Sequence, residues 1–479
     1  MPNRKSLFSL GSQVTLQEVF QVAHRKKNVV FSPPQRSKVK TSRNYLENVL
    51  RQGETVYGVN TGFGELASTR ISPEEVRQLQ KNFVSSHACG IGEPLSEQES
   101  RAMLFLRTNE LARGFSGVRV ELVSKMADLL NRGAAPRIPS QGSVGASGDL
   151  APLAHMALAI RKIIELEAKE GLSLTNGTQA MQAVGALALG QAFSLWETAT
   201  LSAAMSLEAL KGTPLPYEAP LHELKPHAGQ KKVARRLLEL LRGSQIRESH
   251  REDDPRVQDP YSLRCVPQVH GAVWDVLGYA RSVVEIEMNS VTDNPVVVGR
   301  RIFSGGNFHG QGLAFAFDFA ATALTALGNI SERRIFQLVS DRHHILPPFL
   351  ASQPGLESGW MIAQVLAASL ASENKVLAHP ASADSIPTSG NQEDFVSMGM
   401  TAAMKFRKIV QNVAGILAVE VLAASQGIET HRPLGPGYGV AAALQKLRRV
   451  FVPTRGDQVL GPSIEKLKFM ILEGYLIEI

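Results

Sequence analysis

Apolar residues recur every three or four positions along much of the chain, which is the spacing of one buried face of an α-helix. Val76, Leu79 and Phe83 show this spacing. They follow residues 72–75, Ser-Pro-Glu-Glu, which are typical of a helix N-terminus with a capping box and proline at the first helical position. The same capping pattern precedes residues 102–111. The first part of the chain is therefore predicted to be largely helical.

Four later stretches are longer and more apolar than helices on a protein surface. A helix that is apolar all round must be surrounded by other helices or subunits, so we expect these stretches to form a central bundle. Asp318 interrupts the most apolar run, which favours a buried helix over a membrane span. The four stretches are residues 180–210, 262–289, 309–338 and 401–425.

Strand patterns are scarce. Residues 296–303 predict a small hairpin that turns at Gly299 and Arg300. Strands and helices do not alternate, so a Rossmann or barrel enzyme is not expected. We predict an all-α (mainly α) fold in which a smaller mixed N-terminal region, 1–175, carries the active-site loops. A bundle of long, largely buried helices at 176–430 and a helical C-terminal tail at 431–479 complete it.

Composition describes a globular protein of the soluble class. Of 479 residues, 44% are hydrophobic and 20% are charged. The net charge of +7 is not concentrated in a basic block, so neither nucleic acid nor a membrane is an expected partner. The first residues lack the sustained apolar run of a signal peptide, and the cytoplasm is the expected location.

The cysteines and histidines do not predict a disulfide framework or a metal site. The chain has two cysteines, too few for a framework or for a four-cysteine zinc site. His222 and His227 are five residues apart with Pro226 between them, whereas two zinc ligands on one helix are four apart. The adjacent histidines 343–344 also lack ligand spacing and are expected to be structural.

The stretch 142–155, Gly-Ser-Val-Gly-Ala-Ser-Gly-Asp-Leu-Ala-Pro-Leu-Ala-His, begins with three glycines and two serines within seven residues. Small residues of this kind permit tight turns and close backbone approach. Asp149 stands where a helix N-terminus prefers a cap, and Pro152 fits a first turn. One interpretation is therefore a glycine-rich turn before a capped helix.

Ala146, Ser147 and Gly148 allow a second, chemical interpretation of this stretch. If the fold compresses the tripeptide, the Gly148 nitrogen can attack the Ala146 carbonyl. Two dehydrations, one of them at Ser147, then give a 4-methylidene-imidazol-5-one, an electrophile made from backbone. The whole stretch resembles the signature of the aromatic amino acid ammonia-lyases. The resemblance implies that this prosthetic group forms autocatalytically from the three residues and that no external cofactor is needed.

Three further residues match the same family. Tyr57 opens a glycine-rich loop, residues 57–64, that resembles the family's active-site lid (the lid loop), with Tyr57 as the catalytic base. No Gly-Lys-Ser/Thr follows this loop, which disfavours a phosphate-binding loop. His87, after Ser86, matches the position that selects the substrate, and Asn176 matches a contact to the prosthetic ring and the substrate carboxylate. Each also has an ordinary interpretation, as a partly buried ring, a histidine at a helix C-terminus and an asparagine N-cap.

Residues 258–264 suggest a carboxylate-binding site. Asp259 and Pro260 are predicted to start a helix, which puts Tyr261 and Arg264 three apart on one face. Arginine can bind a carboxylate through two parallel hydrogen bonds, although a surface ion pair is the plain alternative. The resemblance assigns Arg264 to the substrate carboxylate and places Gln258 and the catalytic Tyr261 in the same pocket.

Two later motifs complete the match. Asn307 and Phe308 follow the predicted hairpin, and the resemblance places them beside the electrophile and the substrate. Glu393 is predicted near the start of a long helix, where an acidic residue is favourable in any case. Histidine-specific members of the family carry glutamate here, whereas phenylalanine and tyrosine lyases carry glutamine. A carboxylate suits an imidazole and not a bare phenyl ring.

The resemblance implies non-oxidative deamination of L-histidine to trans-urocanate and ammonia by a homotetramer with active sites shared between subunits. The alternatives are a phenylalanine or tyrosine ammonia-lyase or aminomutase on the same scaffold, and a non-catalytic scaffold that fails to cyclise. The Gly-Ser-Ser-x-Met-Pro loop of fumarase–aspartase enzymes is absent. One departure is that the connection at 159–170 is shorter than in family members, which we expect to alter local packing and part of a subunit contact.

Overall fold

The computed structural model describes residues 6–252, 254, 256–340, 345–453 and 456–477. Helices dominate these residues, and the all-α prediction is confirmed. The helices, α1 to α18 in chain order, are Leu16–Ala23, Pro33–Arg51, Val76–His87, Glu97–Leu111, Val120–Asn131, Leu150–Arg161, Glu170–Thr175, Gln179–Ala209, Ala219–Glu223, Ala228–Leu241, Gln245–Glu248, Tyr261–Arg264, Val266–Met288, Gln311–Val339, Met361–Leu377, Gly399–Glu429, Tyr438–Arg448 and Gly461–Leu472.

The strands of the described residues form three two-stranded pairs. The strands, β1 to β6, are Ser6–Ser9, Lys27–Val30, Ile91–Pro94, Pro139–Gln141, Val296–Val298 and Arg301–Phe303. β1 and β2 are parallel, and the other two pairs are antiparallel. The predicted hairpin is confirmed as β5–β6. The β3–β4 pair holds the chain just after α3 beside the start of the stretch 142–155.

By packing, the chain forms two compact units, each made of three segments. Unit 1 contains the described residues of Met1–Gly190, Ala280–Asp318 and Pro380–Met404, and unit 2 contains those of Gln191–Tyr279, Phe319–His379 and Lys405–Ile479. The three consecutive regions 1–175, 176–430 and 431–479 stay a prediction.

The four long apolar stretches are confirmed as helices α8, α13, α14 and α16. The largest difference is at the start of the second stretch, where Cys265 separates the short helix α12 from α13. Helices α14 and α16 are long and apolar enough to span a membrane, but 61% and 83% of their apolar 18-residue segments are buried inside the protein. Such burial is typical of core helices.

A buried ion pair joins three long helices within unit 2. The Arg334 guanidinium of α14 and the Glu420 carboxylate of α16 are 2.5 Å apart. Ser202 and Ser206 of α8 donate hydrogen bonds to the same carboxylate at 2.9 and 2.8 Å. Because a buried charge is tolerated only when it is paired and hydrogen-bonded, these contacts specify which faces of the three helices meet.

Helix α4 is the buried centre of unit 1, and its predicted capping box is confirmed. The Ser96 hydroxyl accepts a hydrogen bond from the Glu99 nitrogen at 3.2 Å, and the Glu99 carboxylate accepts one from the Ser96 nitrogen at 2.9 Å. Arg101 of the same helix donates to the carbonyls of Ala23 and Leu130, both at 3.2 Å. Those carbonyls lie at the ends of α1 and α5, so α4 anchors both.

The capping box predicted at residues 72–75 is wrong. Helix α3 begins at Val76, and residues 73–75 form a turn. The Ser72 hydroxyl donates to the Glu75 carboxylate at 2.9 Å instead of accepting from a backbone nitrogen. The apolar face of Val76, Leu79 and Phe83 is nevertheless present within α3.

Candidate active site

A cavity of about 510 Å³ in unit 1 brings five predicted site residues together. They come from the lid loop, α3, the stretch 142–155, the junction of α7 and α8, and the segment before α16. The five are Tyr57, His87, Ser147, Asn176 and Glu393. The other lining residues are mainly small or apolar, including Phe63, Leu79, Phe83, Leu150 and Leu172.

The backbone at Ser147 is tightly bent. Ser147 has φ +48°, and Gly148 has φ +80°. A side chain at Gly148 would collide with the Gly177 carbonyl, so only glycine fits there. Gly177 holds the bend from outside, since its nitrogen donates to the Ser147 carbonyl at 3.2 Å and its carbonyl accepts from the Asp149 nitrogen at 2.8 Å. A non-glycine residue at positive φ is strained, and compression of this tripeptide is what cyclisation requires.

Asp149 was predicted to cap the helix that follows it. Its side chain instead contacts the start of another helix, α8. Its carboxylate accepts hydrogen bonds from the Met181 nitrogen at 2.8 Å and the Ser143 hydroxyl at 3.0 Å. The Ala180 nitrogen donates to it as well. Complete burial raises the pKa of Asp149 to about 7, although these three hydrogen bonds act in the opposite direction. Asp149 therefore ties the bent stretch to the first turn of α8.

The parent protein is expected to lose stability as the pH rises, and Asp149→Asn is expected to remove this loss. The pKa of Asp149 is about 7 in the folded chain against an ordinary value of 3.8, so between these pH values the folded chain binds more protons than the unfolded chain. The contribution of this group to stability therefore falls as the pH rises through that window and is constant above it. In calorimetry at several pH values, the Tm of the parent should fall relative to that of Asp149→Asn.

The exposed Asp128 supplies the control for this measurement. Asp128→Asn should follow the parent Tm across the same pH range, since both states of the chain leave that carboxyl in water. Parallel Tm curves for the parent and Asp149→Asn would contradict the assignment.

His87 ends helix α3, as predicted, and its ring is held on three sides. Nδ1 is 2.8 Å from the Phe83 carbonyl oxygen and 3.0 Å from the Ser86 hydroxyl. The Phe83 ring packs against it with centroids 3.9 Å apart, and Phe63 of the lid packs on Phe83 at 4.0 Å. Burial lowers the pKa of His87, and the Phe83 carbonyl and the Glu393 charge offset this only in part.

Glu393 does not lie on a helix, contrary to the prediction, because α16 begins at Gly399. A compact turn carries it instead, closed by backbone hydrogen bonds between Thr388 and Glu393 of 2.9 and 3.3 Å. One carboxylate oxygen accepts from the Ser147 hydroxyl at 3.1 Å, and the other accepts from the Thr388 hydroxyl at 2.9 Å. This turn, and not a helix dipole, places the carboxylate in the cavity.

Tyr57 lies in a lid loop folded on itself. Its hydroxyl accepts a hydrogen bond from the Gly64 nitrogen at 3.3 Å, and the Thr61 hydroxyl accepts one from the Gly58 nitrogen at 2.9 Å. Phe63, which sequence reasoning missed, attaches the loop to α3 through the ring contact with Phe83. The sequence could have indicated this contact, since Phe63 lies within the lid loop and Phe83 lies on the apolar face of α3.

Asn176 joins α7 to α8 with its side chain buried, 2% exposed. Its amide oxygen has no hydrogen-bond partner among the described residues, so it can accept a hydrogen bond from a bound molecule. Helix α7 is fixed from behind by Lys169, whose ammonium is 2.9 Å from the buried Asp293 carboxylate and 2.7 Å from the Ser173 hydroxyl. Sequence reasoning missed this pair, because nothing local signals a partner more than a hundred residues away.

Seven predicted site residues are not among those that line this cavity. Asn307 is exposed and donates to the Val291 carbonyl at 3.2 Å, and Phe308 is half-buried. Gln258, Tyr261 and Arg264 belong to unit 2. The remaining two, Ala146 and Gly148, flank Ser147 in the chain.

Helix α12 confirms the predicted start after Pro260 and the shared face of Tyr261 and Arg264. The Arg264 guanidinium lies over the Tyr261 ring, 4.5 Å from its centroid. Tyr261 is 70% exposed, and Arg264 Nε has no hydrogen-bond partner among the described residues. The Tyr261 side chain is thus open to solvent, whereas Arg264 Nε is buried without a partner among the described residues.

The histidines considered as metal ligands have other roles or lie outside the described residues. His222 uses both ring nitrogens, at 3.0 Å from the Pro216 carbonyl and at 2.9 Å from the Gln230 amide. His343 and His344 lie outside the described residues. Among the residues that the structure describes, no three His, Cys, Asp or Glu side chains form a metal-binding group.

The short connection between α6 and α7 packs against the outer face of α3. Glu165 and Glu167 form ion pairs with Lys81 and Arg77, both at 2.8 Å. Arg161, at the end of α6, donates to the Lys81 carbonyl at 3.0 Å. Helix α3, which ends at His87, therefore packs against the connection on one face and lines the cavity with the other.

Comparison with known proteins gives concordant results. The family model described as aromatic amino acid lyase matches residues 14–162 and 161–449. A curated relative from Koribacter versatilis (strain Ellin345), named histidine ammonia-lyase, is 48% identical over 510 aligned residues, which cover 98% of this chain and 99% of that protein.

Solved structures share the fold over nearly the whole chain. The histidine ammonia-lyase of Trypanosoma cruzi has a TM-score of 0.90 and 38% identity, covering 98% of this chain and 94% of that one. The tyrosine aminomutase of Streptomyces globisporus has a TM-score of 0.91 and 36% identity, covering 98% and 97%. Similarity of fold alone therefore does not separate the two chemistries.

Proposed function

Because this chain belongs to the aromatic amino acid lyase family, we propose that it converts L-histidine to trans-urocanate and ammonia without oxidation. It is a carbon–nitrogen lyase, and curated relatives at 45–48% identity over nearly its full length are named histidine ammonia-lyase. The observation that carries the substrate assignment is the meeting of Ser147, His87 and Glu393 in one cavity. An imidazole has polar partners there that a phenyl ring would leave unsatisfied.

The bent tripeptide fits the prosthetic group of the family. Positive φ at Ser147, the glycine requirement at Gly148 and the unpaired amide oxygen of Asn176 support this fit. Ala146, Ser147 and Gly148 would supply its atoms, so no external cofactor is needed. The group provides an electrophile that makes the substrate amine a better leaving group.

The other side chains have separate tasks in this proposal. Tyr57 removes the β-proton of the substrate from its position in the lid. His87 and Glu393 hold the imidazole, and Asn176 contacts the prosthetic ring and the substrate carboxylate. Held within hydrogen-bond reach of their targets, such groups contribute by positioning and by proton transfer.

Five residues outside the cavity lining are assigned to the site through a second copy of the chain. Arg264 binds the substrate carboxylate through its guanidinium, with Gln258 and Tyr261 beside it, and Tyr261 takes part in catalysis. Asn307 and Phe308 border the electrophile. The exposure of Tyr261 and the unpaired Nε of Arg264 support a further binding partner for this segment.

Long helices with exposed apolar residues support a homotetramer. A helix face of this kind is normally covered by another element or subunit. Six such residues on α13, α14 and α15 are Tyr279, Ile286, Phe315, Phe319, Ile362 and Val365. We place the enzyme in the cytoplasm, in agreement with its two unpaired cysteines.

Mixing two inactive variants is expected to restore activity if sites are shared. Tyr57→Phe and Arg264→Ala each damage every site in their own oligomer. After the two proteins are denatured and refolded together, random assembly gives about a quarter of the sites with Tyr57 from one intact copy and Arg264 from another. Urocanate absorbance measures the recovery.

The mixing experiment has one control and one result that would contradict shared sites. Each variant refolded alone controls for residual activity. A mixture no more active than the sum of the two, with mixed oligomers demonstrated by mass, would contradict shared sites.

The substrate assay tests the function itself. Purified protein should produce urocanate from L-histidine, measured by ultraviolet absorbance, and no cinnamate or coumarate from L-phenylalanine or L-tyrosine. Turnover of L-phenylalanine or L-tyrosine, including rearrangement to a β-amino acid, with none of L-histidine would instead establish the alternative lyase or aminomutase. No turnover of the three would support a non-catalytic scaffold.

A further inference from the structure

The contacts of His87 determine which ring nitrogen carries its hydrogen. Nδ1 is 2.8 Å from the Phe83 carbonyl oxygen, and a carbonyl can only accept, so Nδ1 is the protonated nitrogen. The Ser86 hydroxyl is 3.0 Å from Nδ1 but donates its hydrogen to the same Phe83 carbonyl at 3.1 Å. It therefore does not donate to Nδ1. Since burial also lowers the pKa of His87, the ring is neutral and Nε2 is left as a hydrogen-bond acceptor.

Glu393 supplies a second acceptor in the same cavity. Its two oxygens accept hydrogen bonds from the Ser147 and Thr388 hydroxyls at 3.1 and 2.9 Å, so both oxygens act as acceptors. Each oxygen retains a further lone pair for a ligand. His87 and Glu393 both line this cavity, so a ligand there can reach an acceptor on each residue.

Within one copy of the chain, the cavity lining includes one acidic side chain, Glu393, and the Arg264 guanidinium that the proposed function brings from a second copy is assigned to the substrate carboxylate. The titratable groups that face it are Tyr57 from the lid, His87 from α3 and Glu393 from the turn before α16, with none from the stretch 142–155 or from α7. No lysine or arginine is among the described lining residues.

We propose that this cavity binds L-histidine with its side chain as the imidazolium cation, which donates one N–H to His87 Nε2 and the other to Glu393. A neutral imidazole has one donor and one acceptor, so it would turn a lone pair towards one of the two protein acceptors. The imidazolium satisfies both and carries the charge that the lining complements. This inference rests on the proposed function, because it takes histidine as the substrate.

Binding the cation also bears on proton removal by Tyr57. A positive ring withdraws electrons from the neighbouring β-carbon, so the β-proton is more acidic than beside a neutral ring. A weak base such as tyrosine then has less of the barrier to overcome. The site thus selects the form of the substrate that is easier to deprotonate.

Proton uptake on binding tests the proposal directly. The Ser147→Ala variant lacks the residue that forms the electrophile, so L-histidine can be titrated without turnover. At pH 8 the free imidazole, with a pKa of about 6.5, is mostly neutral. Calorimetry in two buffers of different ionisation enthalpy should show uptake of about one proton per L-histidine, and the Kd should rise about tenfold from pH 7 to pH 8.

A second background and a matched ligand guard against a misfolded variant. Tyr57→Phe, if its turnover is slow enough, should show the same proton uptake with L-histidine. Any L-phenylalanine that binds should bring no proton, because its ring cannot be charged. Adding Glu393→Gln to Ser147→Ala should abolish the uptake by removing the negative charge.

The results separate this inference from the proposed function. No proton uptake and a Kd that is constant from pH 6 to pH 8, in a protein whose parent produces urocanate, would overturn the imidazolium proposal and leave the function intact. If the parent forms no urocanate from L-histidine, the proposed function itself fails.

Discussion

Ser147→Ala is expected to reduce urocanate formation from L-histidine to the background of the assay. The structure holds Ser147 in a strained bend at φ +48°, facing the cavity beside Glu393. Alanine has no hydroxyl to eliminate, so the tripeptide cannot complete the two dehydrations. Intact mass should show the parent lighter than its sequence by about 36 Da, two waters, and the variant should lack this loss of two waters.

Ser140→Ala is the matched control for this prediction. Ser140 lies in β4, shortly before the bent stretch, and does not line the cavity. This variant should retain the parent activity and the parent loss of mass. Comparable urocanate formation by Ser147→Ala, or full activity in a parent with an ordinary open peptide at 146–148, would end the electrophile hypothesis.

Tyr57→Phe is expected to lower kcat by about 10²- to 10⁴-fold, which is the usual contribution of a positioned general base. The phenyl ring preserves the apolar part of the lid, so the KM for L-histidine should change far less than kcat. Among the described residues the hydroxyl accepts one hydrogen bond, from the Gly64 nitrogen at 3.3 Å, and its loss should not unfold the loop. Initial rates over a range of L-histidine concentrations measure both constants.

Intact mass separates this effect from a failure to form the prosthetic group. Tyr57→Phe should show the same loss of two waters as the parent, because Tyr57 takes no part in cyclisation. Tyr45→Phe removes a hydroxyl from α2 that bonds the Arg300 carbonyl, away from the cavity, and should leave kcat unchanged. An unchanged kcat in Tyr57→Phe would remove this tyrosine from the mechanism.

Helices were the most predictable part of the fold. The long helices α8, α14 and α16 begin and end within a few residues of the apolar stretches, because an apolar run of that length has few other stable conformations in a globular protein. The hairpin β5–β6 and the capping box at Ser96 were equally local. At residues 72–75 the same pattern formed a turn instead, in which the Glu75 nitrogen donates to the Ser72 carbonyl at 3.0 Å and the Ser72 hydroxyl donates to the Glu75 carboxylate.

Five of the residues predicted from the sequence line one cavity, but the sequence did not predict how they are held. Asp149 was expected to cap the helix that follows it, and it instead binds the first turn of α8, thirty residues further along. Glu393 was expected on a helix and lies on a compact turn. The partner of Asp149 is a backbone group that only packing brings close, whereas the turn of Glu393 is closed locally by Thr388.

The sequence by itself determined the helical fold class, because apolar periodicity is a local property of the chain. Its resemblance to the lyase family pointed to the tripeptide 146–148 and to residue types that suit an imidazole. Only the tertiary structure decided that Ser147 and Glu393 meet at 3.1 Å, which nitrogen of His87 is left to accept, and that the segment of Arg264 belongs to the other unit. Contacts between residues separated by up to 246 positions depend on how whole helices pack, and local sequence patterns carry little of that information.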